Sequence, residues 1–213
     1  MNYQEQRMRL NNQIWQIANE VRGSVDGWDF KNYVLSILFY RFASESIESF
    51  VDEFNGSGYY RGLDDEEIDD EVKNSIVEEK GFYIKPSHLF SNIVANCDIN
   101  ENLNMVIDDV FRSIENSAVG TDSEEDVKGL FNDFDIKSSR LGNSVAEKNK
   151  TLCSVLRGVN KLEFGKFGEN KIDLFGDAYE FLISNYAANA GKSGGEYFTP
   201  QCVSNTQIGR AHV

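Results

Sequence analysis

With 40% hydrophobic and 12% aromatic residues in 213, this chain can bury a core, so global disorder is excluded. The length fits one sizeable domain, or one domain and the start of another. A formal charge of −14, from 35 Asp and Glu against 21 Lys and Arg, repels phosphate at long range and argues against a free-standing nucleic-acid binder. It leaves open a subunit whose DNA contacts come from a basic partner or another region.

Leu10, Ile14, Ile17, Ala18 and Val21 recur at helical spacing, with Trp15 beside them, and predict a first amphipathic helix stopped at Gly23. Asp26 and Asp29 offer caps for a second, longer helix. Its centre, YVLSILFYRF, is apolar nearly all round and reads as a buried central helix, carrying Tyr33, Val34, Ile37, Leu38, Phe42 and Phe50 inward. Asn55 to Gly62 reads as a glycine-rich loop. The carboxylate-dense run after it lacks the ligand alternation of a calcium loop and reads as a solvated helical face.

Ser87 is a candidate cap for a helix through His88, Leu89, Phe90, Ile93 and Val94, and His88 is expected at the surface or close to that cap. A further helix is expected over about Asn102 to Glu115, with Leu103, Val106, Ile107, Val110 and Ile114 inward. Ser123 and Asp126 give a weak capping pattern. Ser144-x-x-Glu147 gives a full capping box, opening a helix that buries Leu152, Val155, Leu156 and Val159. A second region begins near Phe164, with Asp173 capping a helix that puts Leu174, Ala178, Phe181, Leu182 and Asn185 on one side. Glycines 191, 194 and 195 end it, and an extended segment comes next at Thr199-Pro200.

Chemistry-bearing patterns are few. Cys97, Cys153 and Cys202 are far apart and odd in number, with no C-x-x-C pair, so reduced cytoplasmic thiols are expected rather than a disulfide or zinc site. His88 and His212 lack metal-ligand spacing, and no metal site is expected. GKSGG lacks the upstream glycine of a P-loop. Residues 1–11 are too polar for a signal-peptide core, and no apolar run approaches the roughly 20 residues of a membrane span. Arg7, Arg9, Arg22, Lys31 and Arg41 cluster near the start of an acidic chain. Arg7, Arg9 and Arg22 are the candidate phosphate contacts.

The segment DLFGDAYEFLISNYAANAGKSGGEYFTP, Asp173 to Pro200, resembles the entry to the catalytic domain of modification subunits of type I restriction-modification systems. The matching residues are Gly176, Tyr179 and Glu180, then Gly195, Glu196, Tyr197, Phe198, Thr199 and Pro200. Trp15, Ala18, Arg22, Gly23 and the helix after them are similar to that family's helical N-terminal domain. The resemblance implies a mainly α chain: a helical N-terminal bundle over residues 1–163, then the truncated start of an α/β S-adenosylmethionine-dependent methyltransferase domain over 164–204. It also implies methyl transfer from S-adenosylmethionine to adenine N6 in double-stranded DNA, with a specificity subunit and a restriction (nuclease and translocase) subunit as partners, in the cytoplasm. Glu196, Tyr197, Phe198, Thr199 and Pro200 would line the cofactor pocket, with Thr199 donating to a cofactor carboxylate and the aromatics forming walls.

The family's glycine-rich cofactor loop and its Asn-Pro-Pro-aromatic motif do not occur in the sequence, whose prolines are Pro86 and Pro200. No catalytic residue is therefore expected in it, and the chain alone is expected to be inactive. Residues 205–213 end in QIGRAHV, which resembles a translated sequencing adapter, and are expected to be a non-native tail. The alternatives are a non-enzymatic acidic helical module that docks a protein, and a DNA mimic, which needs carboxylates spaced like phosphates on one surface.

Overall fold

The computed structural model describes residues 3–20, 27–164, 176–178 and 180–182. Among the described residues up to 164, seven α-helices appear in order: α1 (Tyr3–Glu20), α2 (Gly27–Asn55), α3 (Asp70–Lys80), α4 (Phe90–Asn96), α5 (Leu103–Ser117), α6 (Glu124–Val127) and α7 (Val145–Asn160). Short 3-10 turns at Tyr60–Gly62, Asp65–Glu67 and Pro86–His88 join them. Among the described residues no strand occurs, which agrees with a helical bundle up to Phe164. The expected α/β character lies outside the described residues, as do the joint after 164 and the tail from 205.

α2 is the axle of the bundle. Tyr33, Val34, Ile37, Leu38, Tyr40, Ala43 and Ile47 are all buried. They fall on more than one helix face, as the near-continuous apolar run requires. α2 packs on α3, α4 and α7, while α7 also contacts α1, α4 and α5. α7 is thus the second core helix. Its Ser144 accepts from the Glu147 backbone N–H at 3.2 Å, while the Glu147 carboxylate accepts from the Ser144 N–H. That is the expected capping box, and Leu152, Val155, Leu156 and Val159 are buried as the spacing requires.

An aromatic cluster fills the space between α2 and α5. Phe111 stacks on Phe131 at 3.9 Å between centroids and meets Phe134 edge-on at 4.9 Å. Tyr40 approaches Phe111 edge-on at 5.7 Å and Phe90 at 5.5 Å. Two buried phenols also hold backbone. Tyr40 donates to the His88 carbonyl, and Tyr60 donates to the Ile84 carbonyl at 2.7 Å. Tyr60 sits in the segment expected to be an open loop, yet it is wholly buried. Asp52 of α2 fixes it by accepting from the backbone N–H groups of Gly58 and Tyr60.

Several expectations need correction. Trp15, read as part of the apolar stripe, is 44% exposed, because the inward face of α1 runs through Leu10, Ile14 and Ile17. His88 stands next to the N-cap Leu89, as one of its two expected places required, but is buried at 9% rather than at the surface. Ser87 does not cap α4; its hydroxyl and N–H both bind Asp65, and Leu89 stands at the N-cap without a side-chain bond. The acidic run is solvated as expected but anchored by buried Ile76, and Asp69 caps α3 by accepting from Val72 N–H. Cys97 and Cys153 are not free thiols but a disulfide, with Cα atoms 5.4 Å apart. The helix packing brings together positions 56 residues apart, which spacing along the chain does not show.

Candidate functional site

The described residues most relevant to function lie where the bundle meets the next stretch of chain. Residues 176–178 and 180–182 are helical, and Ala178 and Leu182 are fully buried in the same core as α1, α2 and α7. Their four-residue spacing supplies the apolar side expected of this helix. Arg7 of α1 reaches across to it. Its Nε lies 3.2 Å from Asp177 Oδ1, and a terminal nitrogen lies 3.9 Å from Glu180 Oε2. Arg9, one face over, pairs with Glu163 at 3.0 Å. Gln13 bonds both the Lys161 carbonyl and the Glu163 N–H. α1 thus fastens both the end of α7 and the helix beyond it.

Arg41 makes the tightest of these junctions. From α2 it donates to Glu45 at 2.7 Å and to the carbonyls of Val159 at 2.6 Å and Leu162 at 2.9 Å. Those carbonyls belong to the terminus of α7, where helix ends leave acceptors unpaired and the dipole favours a cation. The guanidinium also lies 5.1 Å from the centroid of the Phe164 ring. Arg41 is therefore a structural clasp facing inward rather than a phosphate contact. Lys31 is likewise buried, at 7% exposure. Of the five clustered basic residues, Lys31 and Arg41 thus turn inward, while Arg7 and Arg9 stand in ion pairs on α1. Arg22, and all of Glu196, Tyr197, Phe198, Thr199 and Pro200, lie outside the described residues.

Grooves on the bundle surface, among the described residues, include the two following. One, of about 630 Å³, lies between the end of α4 and α7 and is lined by Cys97, Asp98, Glu101, Asn149, Cys153 and Arg157. The other, of about 600 Å³, runs past Lys73, Tyr83, Lys85, His88 and Thr121. In it His88 Nε2 lies 3.6 Å from Asp109. Burial pushes the His88 pKa below its usual 6.5, helped by Lys85 and opposed by Asp109 and Asp65. The cysteines are the signal that sequence reasoning misses. Three isolated cysteines carry no spacing rule, and only the crossing of α4 and α7 pairs two of them. Among the described residues no helix is long and apolar enough to cross a membrane.

An all-helical domain whose core takes in Ala178 and Leu182 of a further helical stretch defines a class: an N-terminal bundle built onto the region after it. Comparison with known proteins gives that class its family. The family described as HsdM N-terminal domain matches residues 10–159, and the family described as N-6 DNA Methylase matches residues 170–212. The chain belongs to the HsdM N-terminal domain family.

It is 46% identical over 210 residues to the methylase subunit of the type I restriction enzyme MpnII of Mycoplasma pneumoniae. It is 22% identical over 209 residues to that of MjaIX of Methanocaldococcus jannaschii. These alignments cover 94% and 92% of this chain but 39% and 34% of the relatives, so the chain spans little over a third of their length. A crystal structure of the type I restriction-modification methyltransferase subunit from Streptococcus thermophilus superposes with a TM-score of 0.77 at 28% identity. That match covers 92% of this chain and 42% of the other.

Proposed function

We propose that this chain is the N-terminal part of a site-specific adenine methyltransferase subunit that works in a restriction-modification complex. The observation that carries the reading is the order of the two family matches, a helical domain over residues 10–159 and then N-6 DNA methylase sequence over 170–212. The non-enzymatic docking reading gives no account of the second match. In the complete subunit, S-adenosylmethionine would supply the methyl group for the exocyclic amine of an adenine turned out of the duplex. Glu196, Tyr197, Phe198, Thr199 and Pro200 are the residues assigned to its pocket, with Thr199 as hydroxyl donor and the aromatics as walls.

The bundle's part is positional. Arg7, Gln13 and Arg41 tie α1, α2 and α7 to the segment that leads into the pocket. A specificity subunit supplies sequence recognition, a restriction subunit supplies cleavage, and the complex acts on double-stranded DNA in the cytoplasm. Arg9 and Arg7, with Arg22, are assigned to the DNA backbone. Arg9 and Glu163 are both about half exposed, and an exposed ion pair contributes little, so a phosphate competes readily for Arg9.

The test is methyl incorporation from labelled cofactor. The complete subunit, purified with its specificity partner, should methylate adenine in DNA carrying the recognised site, and the 213-residue chain alone should not. No labelled adenine from the complete complex overturns the assignment. Replacing Arg7, Arg9 and Arg22 together by Gln in that complex should weaken DNA binding and flatten its salt dependence. An unchanged salt slope removes the arginines from the interface.

A further inference from the structure

Cys97 follows the last residue of α4, and Cys153 lies in the middle of α7. Their sulfurs are bonded, and both residues, buried at 3% and 5%, border the groove of about 630 Å³ between those helices, which is the approach to them from solvent. Asp98 Oδ1 lies 3.5 Å from Cys153 Sγ, and the same carboxylate pairs with Arg157. The bond is one of three ties that hold residues 97–104 against α7. The Asp98–Arg157 pair is the second. The third is Asn149, whose side-chain oxygen accepts from Asn104 N–H at 2.9 Å and whose amide donates to the Glu101 carbonyl at 2.6 Å. Two of the three ties do not depend on sulfur, and of these the part-buried Asn149 bonds outweigh the half-exposed ion pair. They keep the two cysteines facing each other when the covalent bond is open, so re-closure needs no search.

We propose that Cys97 and Cys153 form a reversible thiol–disulfide exchange site, opened and closed by a small thiol and its disulfide that reach the sulfurs through this groove. In the opening direction a small thiolate attacks one sulfur. A mixed disulfide forms, the Cys97–Cys153 bond breaks, and the other cysteine leaves as a thiolate that takes a proton from water. A second small thiolate attacks the mixed disulfide, frees the remaining cysteine and departs in the oxidised small disulfide. Two small thiols are oxidised and one protein disulfide is reduced. The third cysteine, Cys202, takes no part. The exchange chemistry depends only on the groove and its two sulfurs, so it stands or falls separately from the methylase reading.

The experiment equilibrates the full chain with graded mixtures of reduced and oxidised glutathione, quenches with acid, unfolds, and counts alkylated thiols by mass. The expected result is one thiol per chain at the oxidising end and three at the reducing end, joined by a single reversible two-electron transition. The thermal midpoint should fall by about 5–10 °C on reduction, since a loop of this length is released in the unfolded chain. Cys202→Ser should keep the transition, with zero and two thiols at its ends. Cys153→Ser should abolish both the transition and the thermal difference. Three thiols at every ratio, or a bond that opens only after unfolding, overturns the proposal. Because Cys202→Ser and the unaltered chain each report the transition, a poorly folding Cys153→Ser protein does not blur the outcome.

Discussion

Gly158 of α7 lies directly against Ile17 of α1: a methyl group built on Gly158 would stand 2.8 Å from Ile17 Cγ2 and 2.9 Å from Cγ1. Ile17 is itself buried at 3%. The absent side chain lets α1 settle onto α7, and α1 carries the contacts to Glu163, Asp177 and Glu180.

Gly158→Leu should therefore destabilise the chain despite a helix-propensity gain of under about 1 kcal/mol, because overpacking a close helix contact costs about 2–3 kcal/mol. Denaturant unfolding measures it. A fall in midpoint with little change in slope is expected, whereas a more stable protein would show that α1 does not rest on this position.

Arg41→Met should cost about 2–3 kcal/mol. It leaves the Val159 and Leu162 carbonyls and the Glu45 carboxylate without their charged donor. Arg41→Lys should recover only part of that loss, since one ammonium cannot span the planar set of acceptors. The comparison is made by denaturant unfolding. Equal stability of the Lys and unaltered proteins would show that charge alone suffices.

His88 gives a pH dependence of definite sign. Its folded pKa lies below 6.5, chiefly through burial, so the unfolded chain takes up this proton first as pH falls. The stability linked to the neutral ring is complete above pH 6.5 and is lost progressively below it. Glu48, whose pKa burial raises from 4.5, acts in the opposite sense over a lower range, so the single-residue difference is the proper readout. The stability gap between the unaltered protein and His88→Gln should move in favour of the variant as pH drops below 6.5. A gap that is flat with pH would show that the ring titrates alike in both states.

Much of the bundle can be read from side-chain periodicity. Most of the buried sets of α2, α5 and α7 follow from apolar spacing, although Phe42, Phe50 and Val106, expected inward, are only half-buried, and the start of α7 follows from Ser144 and Glu147. Such local features survive because capping and helical period need only neighbours within a turn or two. The exposure of Trp15 and the burial of His88 share a reason. Size and polarity state a preference for core or solvent, but which face of a helix or turn is covered depends on partners distant in the chain. Ser87 shows the same limit: its hydroxyl has a local use as a cap, and Asp65, 22 residues earlier, takes it instead.

The candidate site divides in the same way. The Gly195–Pro200 segment and the helix before it are legible as a motif, because a resemblance is a property of order along the chain. The roles of the arginines are not. Arg7, Arg9 and Arg41 look equivalent as isolated positive charges. One bridges to Asp177 and Glu180, one sits in an exposed pair, and one clasps the end of α7.

By itself, then, the sequence determined which segments are helical, which of their faces are apolar, and which family's motif comes after them, since each is written within a few residues. Only the tertiary structure decided that Cys97 meets Cys153, that Arg41 faces inward, and that α1 rests on a glycine. Those facts arise where helices cross, and the crossing is set by the packing of all their faces at once.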